Sequence, residues 1–270
     1  MFFCLPYAVK PCGMYTVGHL ALFLITALLI GVGLYLCRNM DQDKVRTVIR
    51  SVTALLWALE IWKILFVLIV TGSRNPNDYV PLYYCSLVLY AGLFASFGKG
   101  ALRRFGDVFL ATGSLVGGVC FLFFPSTSLP RYPFFHLISM QSFLLHGMMV
   151  FVGLLMLLRC VYRVKLSDIW SCAILVGATG VISYVFNLVW NKAHPLQLIE
   201  TNLMFVSNNF TGCPVDLYGF LGPVVYPIFM IAVQAFGPFL LVHWGVLLCH
   251  ALREKKFSKS VLKKARMRRL

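Results

Sequence analysis

The sequence predicts an all-α membrane protein, a polytopic bundle of about seven transmembrane helices with the N-terminus outside and the C-terminus in the cytoplasm. Three observations carry this. Of 270 residues, 60% are hydrophobic and 12% charged, with a mean hydropathy of +0.82; soluble domains run at roughly 45–50% apolar and 25% charged. The apolar residues gather into seven runs near the roughly 20 residues that a membrane-crossing helix needs. Lys and Arg concentrate in alternate loops, the pattern that fixes orientation. Together these exclude a disordered chain, a coiled coil, a soluble enzyme and a disulfide-stapled secreted module. A membrane β-barrel is excluded too, because its strands alternate in short segments.

The first run, Val17–Cys37, is too long for a signal peptide. It also lacks a basic leader and a small-residue cleavage site, so it reads as a transmembrane helix. The second, Val48–Thr71, carries Glu60 and Lys63 inside it. The third, Pro81–Phe97, is short, and Pro81 suits the first turn of a helix. The fourth is Asp107–Phe124, the fifth Phe134–Leu158 and the sixth Asp168–Trp190. Asp107 and Asp168 read as helix N-caps, where a carboxylate meets free backbone N–H groups. The seventh, Gly222–Leu252, contains Pro223, Pro227 and Pro238 and is expected to kink or to begin late. One helical domain, 1–252, is thus followed by a basic tail, 253–270.

Nineteen of the 24 Lys and Arg fall on one side. They are Arg38, Lys44, Arg46 and Arg50; Lys99, Arg103 and Arg104; Arg159, Arg163 and Lys165; and nine in the tail from Arg253 to Arg269. The other side holds only Lys10, Arg74, Arg131 and Lys192. The net charge of +15 is therefore mostly topological. Nine tail cations beside a membrane suit anionic lipid head groups, at about 1 kcal/mol each; an orientation signal alone explains them as well, and no nucleic-acid partner is expected.

The nine cysteines form no C-x-x-C pair and no Cys/His set at zinc spacing, so no metal and no cofactor are expected. Cys37, Cys120, Cys160, Cys172 and Cys249 read as packing residues. Cys4, Cys12 and Cys213 fall outside, where the sequence leaves a disulfide open. Asn209-Phe210-Thr211 matches a glycosylation sequon, relevant in a secretory eukaryote.

Strongly polar side chains inside a membrane are expensive and point to function by default. Glu60 and Lys63, three residues apart, share a helix face and read first as a structural ion pair. Cys85 stands near the outer end of the third run, after Tyr84. In the fifth run, His136, Ser139, Ser142 and His146 fall within an arc of about 120° at about 100° per residue. Such a stripe faces the bundle or a wet cavity, or else hydrogen-bonds neighbouring helices. The outer segment after the sixth run includes Asn187, Asn191, His194, Glu200, Thr201, Asn202, Asn208, Asn209 and Asp216. Within it, residues 196–206 are apolar enough for a re-entrant or interfacial helix that covers the outer cavity.

A thiol and an imidazole make a nucleophilic pair: the base raises the thiolate fraction and the thiolate takes an acyl group. Counting residues into each run, Cys85 matches His136 in depth, whereas His146 lies about 12 Å deeper at about 1.5 Å per residue.

The segment Val80-Pro81-Leu82-Tyr83-Tyr84-Cys85-Ser86-Leu87 resembles the P-L-H-x-C-S-[IL] segment of the YwaF-like integral membrane family. Gln141-Ser142-Phe143-Leu144-Leu145-His146-Gly147 resembles its Q-[SY]-F-x-x-H-[GS], and Thr201-Asn202-Leu203-Met204-Phe205 its T-N-Y-[ML]-[FY]. Leu221-Gly222-Pro223 with Tyr226-Pro227-Ile228 is similar to a further segment. The resemblance covers about two thirds of the chain and departs at Tyr83, where His is common, and at Leu203, where an aromatic is common. An animal relative of that family is a multi-pass acyltransferase that makes polyunsaturated ether phospholipids. The resemblance therefore implies Cys85 as nucleophile and His146 as its partner, with His136 as the backup.

Two functions follow as expectations. One is a lipid acyltransferase or hydrolase of the cell membrane, acting on a membrane lipid at the outer side. It uses Cys85 and His146, with Gln141, Asn187, Asn202, Tyr84 and Ser139 around the substrate. The other is a small-solute transporter or binding protein that uses the polar face of the fifth run. The sequence does not fix the oligomeric state.

Overall fold

The structure, a computed structural model, describes residues 2–197, 199–209 and 215–267, with side chains through residue 254. Cys213, the Phe210-Thr211 half of the sequon and the tail side chains from Lys255 onward lie outside the described residues.

Helices are the regular structure of the described residues, which contain no strand. In order the chain forms α1 (Val17–Leu36), α2 (Gln42–Phe66, prolonged by a widened turn, Val67–Thr71), the single turn α3 (Pro76–Tyr79) and α4 (Leu87–Phe97). Then follow α5 (Gly100–Phe109), a second widened turn (Leu110–Ser114) continuing into α6 (Leu115–Phe123), α7 (Leu137–Leu158), α8 (Ile169–Ala193) and α9 (Leu217–Met267). Six helical stretches are long and apolar enough to cross a membrane. The third run is not one of them: its helical part has only eleven residues.

Side-chain and backbone bonds sort the loops onto two faces. On one, Cys12 N–H donates to the Tyr132 carbonyl (3.0 Å), Arg131 pairs with Asp78 (3.1 Å), and Asn77 Nδ2 donates to the Glu200 carbonyl (2.8 Å). This is the N-terminal face. On the other, Arg159 Nε donates to the Met40 carbonyl (3.1 Å), Gln42 Nε2 to the Cys160 carbonyl (3.2 Å), and Arg104 Nε to Asp168 (2.9 Å). This basic face gathers the cation-rich loops. The described residues therefore pass between the two faces seven times, and the third passage is made by an irregular stretch, 80–86, followed by the half-length α4.

Asp107 is not an N-cap, and Asp168 stands at the N-cap position of α8 as expected but its side chain makes no capping bond. Asp107 lies inside α5 and takes both Nη atoms of Arg46 from α2, one at 2.7 Å. Asp168, 2% exposed, takes Arg104 and the Tyr162 hydroxyl (2.6 Å). Each carboxylate ties one helix to another on the basic face, where the surrounding cations supply partners that a backbone terminus would otherwise provide. α7 is the central helix, packed against α6, α1 and α2. α1 turns Leu20, Leu24 and Leu28 outward, the lipid-facing side of a membrane helix. Without a water-driven hydrophobic force between helices, close packing does the work. Gly106 shows it: a Cβ there would sit 2.4 Å from the Ala91 carbonyl oxygen of α4. The kink expected in the last run falls at Gly222, whose φ of +75° breaks α9 just before Pro223.

Candidate functional site

Two irregular segments enter the bundle from the N-terminal face and meet inside it. The first is 80–86. Its Leu82 carbonyl accepts from the Ser183 hydroxyl (3.3 Å), ten residues back from the end of α8. At about 1.5 Å per residue that is about 15 Å below the face. The second is 199–209. Its Met204 carbonyl is reached by Gln234 Nε2 of α9 (3.0 Å), eleven residues past Pro223. Irregular backbone at such depth survives only where protein supplies its hydrogen bonds. Asparagines supply them here. Asn187 accepts from the Leu203 N–H (3.0 Å) and donates to the Leu203 carbonyl (3.1 Å) and Ser207 Oγ (2.9 Å). Asn202 accepts from the N–H groups of Ser207 (3.0 Å) and Asn208 (3.2 Å) and donates to the Asn208 carbonyl (2.7 Å). The helix expected over 196–206 is thus a stitched loop with only a short turn, Leu203–Phe205. Its Met204 and Phe205 hold left-handed backbone, φ +54° and +53°, a strained state that tends to mark functional segments. The two segments touch through Tyr83 and Phe205, ring centroids 5.3 Å apart, and through Asn77, which accepts from both the Tyr83 hydroxyl (3.0 Å) and the Asn202 N–H (2.8 Å).

Cys85 sits at the inner end of the first segment, two residues before α4. That changes its depth. The eleven residues of α4 rise about 16 Å from the basic face, so the thiol stands near mid-membrane and not near the outer end of a full span. His146 stands twelve residues before the end of α7, about 18 Å from the same face. The depth gap between the two groups closes because the third crossing is only half helical. The thiol is half-buried, and Cys85 stands two residues before the first residue of α4, at the positive end of that helix. Lys63 is within electrostatic range of both Cys85 and His146. It pairs with Glu60 at 2.6 Å, as the spacing suggested. No hydrogen bond among the described residues joins the thiol to the ring.

The histidines differ in what their nitrogens do. His146 Nδ1 is 2.7 Å from the Ser142 carbonyl. A carbonyl only accepts, so Nδ1 carries the hydrogen and Nε2 keeps a lone pair. The ring is held by Phe121, stacked at 3.6 Å. His136 is committed at both nitrogens: Nδ1 accepts from the Ile138 N–H (3.1 Å) and Nε2 donates to the Cys4 carbonyl (3.1 Å). It caps α7 and stacks on Tyr132 at 4.3 Å. Ser139 donates to the Pro133 carbonyl (3.0 Å). The polar stripe of the fifth run is therefore largely bonded within the chain.

Tyr84 and Gln141 have unsatisfied polar atoms. The Tyr84 hydroxyl and Gln141 Nε2 are buried with no hydrogen-bond partner among the described residues. Tyr84 fits against α6 and the turn before it because Gly113 and Gly117 lack side chains there. Gln141 lines an apolar lateral groove of about 520 Å³ between α1, α2 and α7, with Thr26, Leu29, Trp62, Met148 and Phe151. Sequence reasoning missed the Phe121 stack and the Asn77 bridge. Only the excess of asparagines in the outer segments hinted at the last. Among the described residues, no group of three His, Cys, Asp or Glu could hold a metal ion, and Cys4 and Cys12 are not joined to each other.

The family model described as the TMEM164 family matches residues 14–248 of the chain. No curated protein and no solved structure matches it.

Proposed function

The chain belongs to the TMEM164 family, a family of transmembrane proteins, and on that premise we propose that it is a membrane-embedded enzyme that moves a fatty acyl group from a lipid ester. Cys85 is the nucleophile and His146 the base. The observation that carries the reading is their shared mid-membrane depth, with a free Nε2 lone pair on the histidine and a half-helix terminus behind the thiol.

Nε2 takes the thiol proton as sulfur bonds to the ester carbonyl carbon. The tetrahedral intermediate collapses, the ester C–O bond breaks, and the histidine returns its proton to the leaving alcohol. A second lipid hydroxyl, or water in a hydrolase, then attacks the thioester. Its proton passes through Nε2 to sulfur as the S–C bond breaks. The α4 terminus and Lys63 stabilise the negative charge of these steps. The groove beside Gln141 suits an acyl chain, with the amide N–H offered to an ester carbonyl. Asn187 and Asn202 hold the loop that covers the site, and Tyr84 and Ser139 shape its wall and rim. In the cell membrane, the cation asymmetry sets the N-terminal face outside.

A second reading rests on the same geometry. Broken helices whose positive ends stop at mid-membrane also build the binding sites of solute transporters. An acyl-directed lipid probe separates the two, applied to wild type, Cys85→Ala, His146→Ala and His136→Ala at equal amounts of folded protein. Acyl transfer requires that labelling vanish in Cys85→Ala, fall sharply in His146→Ala and persist in His136→Ala. Equal labelling of all four overturns the enzyme and leaves transport.

A further inference from the structure

The N-terminal face holds four Lys and Arg, namely Lys10, Arg74, Arg131 and Lys192. Two of these four, Arg74 and Arg131, line one cavity of about 630 Å³, a volume typical of small-ligand sites. It lies where the end of α2, α3 and the end of α8 converge. On a face so depleted of cations, that convergence needs a reason.

The hydrogen-bonding inventory of the walls supplies one. Asn75 donates to the Ile199 carbonyl (2.9 Å) and accepts from the Asn77 N–H (3.0 Å). Asn77 is bonded at both ends of its amide. Gln197 donates to Asn191 (2.7 Å) and accepts from Trp190 Nε1 (3.2 Å). Asp78 takes the Ser73 hydroxyl on one oxygen (2.6 Å) and Arg131 on the other (3.1 Å). Among the described residues, the charged capacity that remains uncommitted is mainly that of donors. Arg74 is exposed and makes no hydrogen bond or ion pair among the described residues, Arg131 has further N–H groups, and the Tyr79 hydroxyl is unbonded. Among the described residues, acceptor capacity remains at His194, whose Nδ1 is 3.0 Å from the Trp190 carbonyl, at the Tyr79 hydroxyl oxygen and at the spare lone pairs of Asp78. The charged groups lining the cavity are two guanidinium ions against one carboxylate; the exposed Glu200 nearby gives its carbonyl to Asn77.

We infer that this cavity binds a phosphate anion, gripped by Arg74 and the outer N–H groups of Arg131. A donor-rich, net-positive pocket calls for a ligand made of acceptor oxygens, and the planar fork of arginine matches phosphate oxygens in pairs. A phosphodiester lipid head group and a soluble phosphate ester share that chemistry. The floor adjoins the acyl site: Asn77 receives the hydroxyl of Tyr83, two residues from Cys85. The inference concerns binding alone and holds if Cys85 is inert, so its failure and that of the acyl reading are separately visible.

The test is thermal unfolding of the purified full chain in neutral detergent. Four probes are titrated at equal ionic strength: inorganic phosphate, acetate, lysophosphatidylcholine, and a monoacylglycerol of the same chain length. Arg74→Gln removes a side chain that makes no hydrogen bond or ion pair among the described residues. Arg131→Lys keeps the charge opposite Asp78 but loses the fork, and Lys192→Gln removes a cation that does not line the cavity. The expected result is saturable stabilisation by the phosphate-bearing probes and not by acetate or monoacylglycerol. The half-saturation concentration should rise about tenfold in Arg74→Gln and Arg131→Lys, the scale of one lost charged hydrogen bond, and stay unchanged in Lys192→Gln. Lysophosphatidylcholine acting at lower concentration than inorganic phosphate assigns the lipid source, and the reverse order assigns a soluble ester. The inference is overturned if neither phosphate probe stabilises the protein saturably. It is overturned equally if both arginine variants bind like wild type, or if Lys192→Gln loses as much as they do.

Discussion

Lys63 Nζ lies 2.6 Å from Glu60 Oε1 within the membrane-crossing part of α2, and Glu60 is 1% exposed. A charge without a partner at such a site is costly, so each residue depends on the other. Removing one partner of a buried pair costs about 3–5 kcal/mol, while replacing both with apolar groups of similar volume is far milder. Lys63→Met and Glu60→Leu should each lower the unfolding temperature steeply, and the double variant should recover most of the loss. Additive losses in this double-mutant cycle would refute the dependence. Lys63 is also in electrostatic range of Cys85 and His146. The rescued double variant should therefore fold and still label poorly with an acyl probe.

His136 and His146 belong to the same helix but carry different loads. His136 has both ring nitrogens bonded and caps α7. His136→Ala should destabilise the protein by about 1 kcal/mol or more, the usual worth of a cap, and His136→Asn should restore part of that by supplying a new capping oxygen. His146→Ala should leave unfolding less affected and sharply reduce labelling. A labelling loss in His136→Asn with unchanged unfolding would contradict this division.

The class of fold was legible because membrane helices obey two rules visible in any sequence, span length and cation placement. The failure was equally physical. The third run, Pro81–Phe97, is apolar along its whole length, and hydropathy does not distinguish a helix from irregular backbone buried in protein at the same depth. That is why Cys85 seemed shallow and His136 seemed its match. The motif segments pointed to His146, and the half-length α4 explains why residue counting did not. Glu60 and Lys63 were legible from helical spacing alone. Asp107 and Asp168 were not, since Arg46 and Arg104 reach them across 61 and 64 residues of chain.

Asp216, ahead of α9, accepts from the Gly219 N–H at 2.8 Å and from the Asn209 side-chain amide at 2.6 Å. The Gly219 backbone N–H first, and then the Asn209 amide, hold its carboxyl below the usual carboxylate range. Its folded pKa is thus lower than the unfolded value of about 3.9. The contact adds stability above that value and loses it as pH falls through the lower folded one. Amide exchange at Gly219, corrected for its intrinsic rate, should speed up under acid, and Asp216→Asn should reproduce the effect at neutral pH. Protection that is constant across that range would show that the carboxylate does not hold the turn.

Gly113 is the clearest single test of how the wall beside Cys85 is built. A Cβ at this position would lie 2.6 Å from both the Tyr84 hydroxyl oxygen and the Phe109 ring. Gly113→Ala should therefore destabilise by about 1–3 kcal/mol, the scale of overpacking in a tight core. Tyr84→Phe removes the same oxygen, which is buried without a partner among the described residues. Relief of that unsatisfied group should stabilise the protein by about 1 kcal/mol or more. The Gly113→Ala/Tyr84→Phe double variant should recover only partly, because the Phe109 contact remains. If the hydroxyl instead meets the substrate, Tyr84→Phe should still unfold at a higher temperature than wild type but label more slowly with the acyl probe. A Tyr84→Phe variant that unfolds at a lower temperature would show that the oxygen is bonded in the protein, and the wall would have to be redrawn around that bond.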